Sequence, residues 1–266
     1  MEPAISVREV VLDFPHVRHR PRGLKEAFLE LARRRGPRGA RRFRALDHVS
    51  LEVATGEVLG IVGRNGSGKS TLLRVIAGIY APDEGTVRTR GQIASLLELG
   101  AGFREELSGM ENIALAGAIM GRSPSTMQGL VAGILEFSEL GDHIHAPLRT
   151  YSSGMRSRLG FAVATALEPD ILIVDEALAV GDARFRERSM ARIEQMVSSD
   201  HVTVVVVSHN ASELRRLCGR LVLLENGRKL ADGDPATILA AYQELIRTPA
   251  DARPTPTGAP AQEAAS

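Results

Sequence analysis

The sequence predicts an α/β fold in which a largely parallel β-sheet is buried on both faces. Two apolar runs, ILIV at 171–174 and VTVVVV at 202–207, have the continuous hydrophobic character of strands covered on both sides. A third strand, around Leu59 to Val62, leads into a glycine-rich loop and then a helix from Lys69 to Ala77. Hydrophobic residues make up 44% of the 266 residues, which is enough to build the core of such a fold.

Shorter signals indicate the remaining elements. Gly78 stands where a C-cap would end the first helix. The run QIASLL at 92–97 is typical of a strand, and the pattern at about 100–167 is mostly helical, which predicts an inserted helical subdomain. Residues 220–233 predict a β-hairpin with its turn at Asn226-Gly227. The Pro-, Ala- and Thr-rich tail at 248–266 is predicted to be disordered.

Composition excludes several classes of protein. Lys and Arg total 33 against 32 Asp and Glu, a net charge of +1, so the chain is neither polybasic nor polyacidic as a whole. The single cysteine, Cys218, cannot form an internal disulfide or a cysteine-based zinc site, which favours a reduced, cytosolic setting. No apolar run approaches the roughly 18 residues that span a bilayer, and the N-terminus lacks a signal-peptide core. We therefore expect a soluble chain whose membrane role, if any, comes through a partner or a surface.

One segment departs from this neutrality. Residues 16–44 carry ten Arg and one Lys against two Glu, a local charge of +9, which leaves −8 on the rest of the chain. Leu24, Ala27, Phe28 and Leu31 follow the spacing of an amphipathic helix, and the three arginines at 33–35 fall in its last turn. The segment is thus predicted to be a basic amphipathic insertion.

The strongest functional signal is GRNGSGKST at 63–71, which satisfies G-x-x-x-x-G-K-[ST] between a buried strand and a helix. Glycines let the backbone amides point inward at phosphate oxygens, and the helix directs its positive dipole end at the same anion. Lys69 would reach the β- and γ-phosphates, and the Ser70 hydroxyl would ligate Mg²⁺. The predicted contacts are Gly63, Arg64, Asn65, Gly66, Ser67, Gly68, Lys69, Ser70 and Thr71. The motif predicts a P-loop NTPase (RecA-like) core with a mixed or parallel sheet and a small antiparallel β region.

Two further strand ends carry candidate chemistry. ILIV ends in Asp175-Glu176, where Asp175 would hold Mg²⁺, mostly through water, and Glu176 would act as general base toward the attacking water. His209 follows VVVVS and could contact the γ-phosphate, because ligands of open α/β sheets bind outside the carboxyl ends of strands. The alternatives are an ordinary strand-to-loop exit for the acids and a structural histidine.

YSSGM at 151–155 resembles the signature loop of ABC-type ATPases, with Ser152 on the signature serine, Ser153 in place of a glycine and Met155 in place of a glutamine. AVGD at 179–182 is similar to the D-loop of that family. The resemblance implies that Ser152, Ser153 and Gly154 contact the γ-phosphate of ATP bound to a second subunit, and that Asp182 faces that subunit. Taken alone, the loop is also typical of a helix cap, and Asp182 of a solvated turn acid.

Two positions depart from the family pattern or stay ambiguous. The loop after Leu97 usually carries a glutamine that contacts Mg²⁺, but the nearest residue here is Glu98, while Gln92 comes too early. Phe14 could stack on adenine, or it could belong to the core. We expect Glu98 to be a metal ligand and Phe14 to contact the nucleotide.

Several longer strings resemble the ATPase subunits of polysaccharide exporters (O-antigen, capsule and teichoic acid). They are SLLELGAGFREELSGMENI at 95–113, YSSGM, VDEALAVGD at 174–182 and the basic insertion. The resemblance implies an ABC ATPase domain at 1–247, cofactors ATP and Mg²⁺, a homodimer enclosing two ATP, and integral-membrane permease partners. The subunit would lie at the cytoplasmic face of the cell membrane as a peripheral protein.

Alternatives remain for the partners. The basic insertion could be a solvated charged face, a site for the anionic membrane surface, or a gate helix that meets the lipid-linked glycan. The chain could also be the ATPase subunit of a drug exporter or an importer, which would use the same ATPase chemistry with a different membrane partner. A nucleic-acid-associated ABC ATPase is a third class, but the long coiled coil or second cassette of such proteins is missing, so no nucleic acid is expected.

Overall fold

The computed structural model describes residues 2–15, 42–97, 100, 102–175, 182–198 and 201–247. The strands are β1 (Ile5–Pro15), β2 (Arg42–Val53), β3 (Val58–Gly63), β4 (Glu84–Thr89), β5 (Ile93–Ser95), β6 (Ile171–Val174), β7 (Thr203–Val207), β8 (Arg220–Glu225) and β9 (Arg228–Gly233). The α-helices are α1 (Lys69–Ile76), α2 (Gly109–Ile119), α3 (Pro124–Ser138), α4 (Ser153–Ala166), α5 (Ala183–Val197), α6 (Ala211–Leu217) and α7 (Pro235–Arg247). The predicted basic helix, Glu98, Glu176 and the predicted disordered tail lie outside the described residues.

The central sheet has six strands in the order β5-β6-β7-β3-β8-β9. The pairings from β5 to β8 are all parallel, and β9 joins β8 antiparallel through the predicted hairpin. Asn226 and Gly227 both have positive φ, 50° and 76°, as the tight turn between twisted strands requires. The predicted mixed, mainly parallel sheet is confirmed.

A second sheet, with the order β2-β1-β4, is antiparallel throughout. It packs over one face of the central sheet and over α1, while α5, α6 and α7 cover the opposite face. Residues alternate along β3 accordingly, since Leu59 and Ile61 belong to the first core and Val58 and Val62 to the second. The central strands are therefore buried on both sides, as their unbroken apolar runs predict.

The chain between β5 and β6 is helical, as predicted, and has a third core of its own. It contains α2, α3, two short 3₁₀ turns at 141–145 and 148–150, and α4. The first of these helices begins at a capping box in which Ser108 and Glu111 satisfy each other's backbone amides. None of the helices that the structure describes is long and apolar enough to cross a membrane.

The bounds of one predicted strand and the predicted end of the first helix were wrong in detail. The strand predicted at 92–97 is limited to Ile93–Ser95. The first helix ends at Ile76 with Ala77 as its C-cap, and Gly78 follows in the left-handed conformation, φ 73°. Glycine is needed one residue beyond the cap, because it takes positive φ without steric cost.

Candidate functional site

The glycine-rich loop lies between β3, a central strand of the sheet, and the N-terminus of α1. Gly68 has φ 104°, and a Cβ atom there would lie 2.7 Å from the carbonyl oxygen of Ala45. A Cβ atom on Gly63 would lie 2.2 Å from the carbonyl oxygen of Leu224. Both clashes are with backbone, so side chains are excluded and the loop can keep its tight path.

Helix α1 presents its N-terminal amides to this loop. Its N-cap residue is Gly68, no side-chain oxygen of the described residues caps the helix, and no acidic residue lies in the first turn. The buried Lys69 side chain, 7% exposed, returns over the loop, where Nζ donates to the carbonyl oxygens of Gly63 (2.9 Å) and Arg64 (3.0 Å). Uncapped amides, a helix dipole and an ammonium group thus converge on one place, which is the chemistry of an anion site.

The nine predicted loop residues have different environments. Asn65 and Gly66 are exposed at the tip, whereas Arg64, Gly68, Ser70 and Thr71 are half-buried. Ser67 is 2% exposed, and its Oγ, which has no hydrogen-bond partner among the described residues, lies beneath the loop against Gly63. The Ser67 hydroxyl therefore does not face the outer side of the loop.

The hairpin turn at Asn226-Gly227 supports the loop from below, a role that the sequence pattern did not reveal. The Gly227 amide donates to the carbonyl oxygen of Ser67 (3.0 Å), and the Gly227 carbonyl accepts from the Asp47 amide (2.9 Å). A Cβ atom on Gly227 would lie 2.8 Å from the carbonyl oxygen of Ala45. The antiparallel sheet, the hairpin and the loop are therefore joined through backbone contacts.

The strand-end residues lie at the same edge of the sheet as the loop. Asp175 directly follows β6 and is half-buried, and the exposed His209 follows β7, which lies between β6 and β3. Both line one cleft of about 770 Å³, together with Asn210 and Arg186. The turn that carries His209 is held by Ser208, whose hydroxyl donates to Glu213 (3.0 Å) and accepts from the Asn210 amide (3.0 Å).

The signature-like loop lies at the N-terminus of α4. Ser152 is the N-cap residue, and its Oγ accepts a hydrogen bond from the Met155 amide (3.2 Å). Ser152 and Ser153 are exposed and Gly154 is half-buried, so the helix N-terminus is open to a second molecule. The preceding Tyr151 is buried, and its hydroxyl donates to the His143 carbonyl oxygen (2.7 Å), which anchors the loop to the helical part.

A second set of contacts attaches this loop to the segment that follows the Glu98 region. The Arg149 amide donates to the Glu105 carbonyl oxygen (2.9 Å), and the Leu148 amide to that of Leu107 (2.9 Å). Arg156 in α4 also pairs with the Glu105 carboxylate (2.7 Å). No sequence signal indicated these pairs, because they join residues far apart in the chain.

Asp182 and Phe14 each have partners within this chain. The Asp182 carboxylate caps α5 by accepting from the Phe185 amide (2.9 Å), and it pairs with Arg158. These contacts lower the pKa of Asp182, and the hydrogen bond from the Phe185 amide contributes most. Phe14, near the end of β1, is half-buried and lies edge-on to Tyr80, 5.6 Å between ring centroids. Its packing shows it at the margin of the core.

The fold and the site together define a P-loop NTPase. A central strand, a glycine-rich loop and a helix form the anion site, and Asp175 follows β6, which β7 separates from β3 in the same parallel sheet. Residues 46–179 match the protein family described as ABC transporter. The chain belongs to this family and is an ATP-binding, ATP-hydrolysing member of it.

Curated relatives match over most of the chain. The O-antigen export system ATP-binding protein RfbB of Klebsiella pneumoniae is 41% identical over 246 residues, which are 92% of this chain and 100% of the relative. The ABC transporter protein AbcA of Aeromonas salmonicida is 42% identical over 95% of this chain and 80% of its own length. The teichoic acids export ATP-binding protein TagH of Staphylococcus haemolyticus is 34% identical over 93% and 90%.

Solved structures show the same fold. An ATP-binding subunit of an ABC transporter superposes with a TM-score of 0.71, 21% identity, and coverage of 90% of this chain and 93% of its own. A dimeric ATP-binding cassette in a post-hydrolysis state with ADP and Pi gives a TM-score of 0.68, 22% identity, and coverage of 87% and 98%. These structures confirm the predicted fold class, and the family match and the curated relatives confirm the predicted family.

Proposed function

We propose that the chain is the ATP-hydrolysing motor subunit of a transporter that exports a lipid-linked polysaccharide across the cytoplasmic membrane. The match to an O-antigen export protein over 92% of this chain and all of that relative carries the proposal. A match of this extent includes the antiparallel sheet and the helical part as well as the nucleotide motifs. The subunit would be peripheral, at the cytoplasmic face of the membrane.

ATP would place its phosphates on the anion site of the glycine-rich loop. The geometry that supports this is the buried Lys69 beside the uncapped N-terminus of α1. In a head-to-tail homodimer, Ser152 and Gly154 of the opposite protomer would close over the γ-phosphate. The exposed N-terminus of α4 supports this role. Ser152 caps the helix, but the helix end is still accessible to a second molecule and its dipole favours an anion.

Mg²⁺ fits the oxygen donors at this edge of the sheet. The Ser70 hydroxyl and the Asp175 carboxylate are hard oxygen ligands, with Glu98 as the proposed third contact. When bound, Mg²⁺ would neutralise charge on the β- and γ-phosphates.

The remaining chemistry belongs to side chains of this protein. Glu176, directly after Asp175, would accept the proton of the attacking water, and His209 would hold that water in line. Lys69 would stabilise the charge that develops on the transferred phosphoryl group. ATP binding closes the dimer only if it favours the closed state, and hydrolysis then allows opening.

The proposed partners are a second copy of the chain and an integral-membrane permease. The basic segment 16–44 would contact the anionic membrane surface or the phosphate-bearing, lipid-linked glycan. Its local charge of +9 supports this, since each cation near an anionic surface contributes about 1 kcal/mol.

The test is ATP hydrolysis by the chain purified with its permease and reconstituted in proteoliposomes. We expect a lipid-linked glycan from the same cell to raise the ATPase rate, and Lys69→Ala to abolish hydrolysis. Stimulation by apolar drugs or peptides, with no response to the glycan, would assign the motor to another transporter. A chain without affinity for ATP would contradict the nucleotide site itself.

A further inference from the structure

Four charged side chains from three helical elements meet beside the signature-like loop. Glu139, the C-cap of α3 with φ 52°, accepts from Arg158 of α4 (3.2 Å) and from Arg188 of α5. Arg158 also pairs with Asp182, the N-cap of α5. The chain of contacts therefore runs from the C-cap of α3 through α4 to the N-cap residue of α5.

Both guanidinium groups cover aromatic rings. Arg158 lies over Phe185, 5.3 Å from the ring centroid, and Arg188 lies over Phe137 at 4.9 Å. Phe137 and Phe185 contact each other, with 5.6 Å between their centroids. The side chains of Arg158 and Arg188 are only 22% and 31% exposed, so their geometry is more restricted than that of a solvated surface ion pair.

Asp182 uses its two oxygens for different partners. Oδ1 accepts from the Phe185 amide and caps α5, while Oδ2 faces Arg158. An asparagine could keep the cap but would lose the charge. Arg188 contacts the same Glu139 carboxylate but lies over a different ring, that of Phe137, and among the described residues its ion pair is with Glu139 alone.

We propose that Arg158 is a positioning residue that holds the signature serine and Asp182 in a fixed relation. Ser152 and Asp182 are the N-cap residues of α4 and α5, and Arg158 lies about one and two-thirds turns after Ser152. The proposal rests on the proposed function, in which both N-termini face the opposite protomer. Through Glu139, the helical part acts on both N-termini together.

The experiment compares Arg158→Met with Arg188→Met. Methionine keeps an unbranched apolar stem over the ring in each case and removes the charge. We measure kcat and KM, binding of a fluorescent ATP analogue to the monomer, the thermal midpoint, and ATP-dependent dimerisation in a Glu176→Gln background.

Arg158→Met should lower kcat and weaken the dimer by about tenfold, with analogue binding to the monomer changed less than about twofold. Arg188→Met should stay within about twofold of wild type in kcat, in dimerisation and in analogue binding. Asp182→Asn should reproduce the loss, and the double variant Arg158→Met/Asp182→Asn should be no worse than either single one. The kcat and the dimerisation of Arg158→Lys should fall between those of wild type and Arg158→Met. One ammonium group then replaces a planar guanidinium that pairs with two carboxylates.

Equal losses in the two methionine variants would overturn the proposal, since they would indicate general packing. Full additivity of Arg158→Met and Asp182→Asn would overturn it as well. If the Glu176→Gln protein binds ATP and dimerises while Arg158→Met changes nothing, the positioning role is wrong and the proposed function stands. If Glu176→Gln never dimerises with ATP, the proposed function fails and this inference fails with it.

Discussion

The variant Gly227→Ala tests whether the hairpin turn at Asn226-Gly227 supports the glycine-rich loop. Gly227 has φ +76°, and a Cβ atom would meet the Ala45 carbonyl oxygen at 2.8 Å, the Ala45 carbonyl carbon at 3.1 Å and the Leu46 Cα atom at 3.2 Å. The left-handed conformation alone costs alanine about 1–2 kcal/mol. All three neighbours are backbone, so a further cost of about 1–3 kcal/mol is expected from overpacking.

The matched control is Gly121→Ala. Gly121 has nearly the same φ, +68°, but among the described residues, its two chain neighbours apart, no atom lies within 4 Å of the added Cβ position. Alanine there should show only the conformational cost, about 1–2 kcal/mol. The difference between the two variants therefore isolates the backbone contact at the turn.

The Gly227→Ala variant should also bind ATP more weakly. Displacing Gly227 breaks the hydrogen bond from its amide to Ser67 of the loop (3.0 Å). We expect about tenfold weaker ATP binding, the equivalent of one hydrogen bond, and no change in Gly121→Ala. Urea denaturation and titration with a fluorescent ATP analogue measure both effects. Equal destabilisation of the two variants, or unchanged ATP affinity in Gly227→Ala, would refute the reasoning.

Three further predictions concern other parts of the chain. Replacing Arg33, Arg34 and Arg35 by Ala should impair export in cells while sparing basal ATPase activity, and unchanged export would indicate a merely solvated charged face. Burial raises the pKa of Asp47, but hydrogen bonds from His48, Arg228 and Arg44 outweigh it and lower the pKa to about 2. The stabilisation is therefore complete above pH about 4 and lost as the pH falls toward 2, so Asp47→Asn should flatten this part of the stability–pH curve. Burial raises the pKa of Cys218 to about 12, so at pH 8 the thiol should react with a thiol reagent only after urea is added.

The glycine-rich loop and the central strands were predictable because each depends on residue types at neighbouring positions. Glycine at 63, 66 and 68, followed by Lys69, is written directly in the sequence. A Cβ atom at 63 or 68 would clash with backbone, and the positive φ at 66 favours glycine. Strands buried on both faces are apolar at nearly every position, which is why β6 and β7 could be recognised. The hairpin turn was predictable for a similar reason, since Asn-Gly tolerates two successive positive φ angles.

The supports of the site left no such signal. Gly227 contacts the loop through its amide and carbonyl groups, which every non-proline residue possesses. The pairs Arg158–Asp182 and Arg156–Glu105 join residues 24 and 51 positions apart, and arginine and acid side chains are common on helices throughout this chain. Periodicity reports which face of an element is buried, but not which charge will lie opposite it.

The amino-acid sequence by itself determined the family, the strand core and the loop that accepts an anion, because each depends on side-chain type or backbone freedom at neighbouring positions. Only the tertiary structure decided that the hairpin turn lies beneath that loop and that Arg158 connects α3, α4 and Asp182. Those contacts exist because packing two sheets and a helical part around shared cores brings distant backbone and charged groups within hydrogen-bond distance.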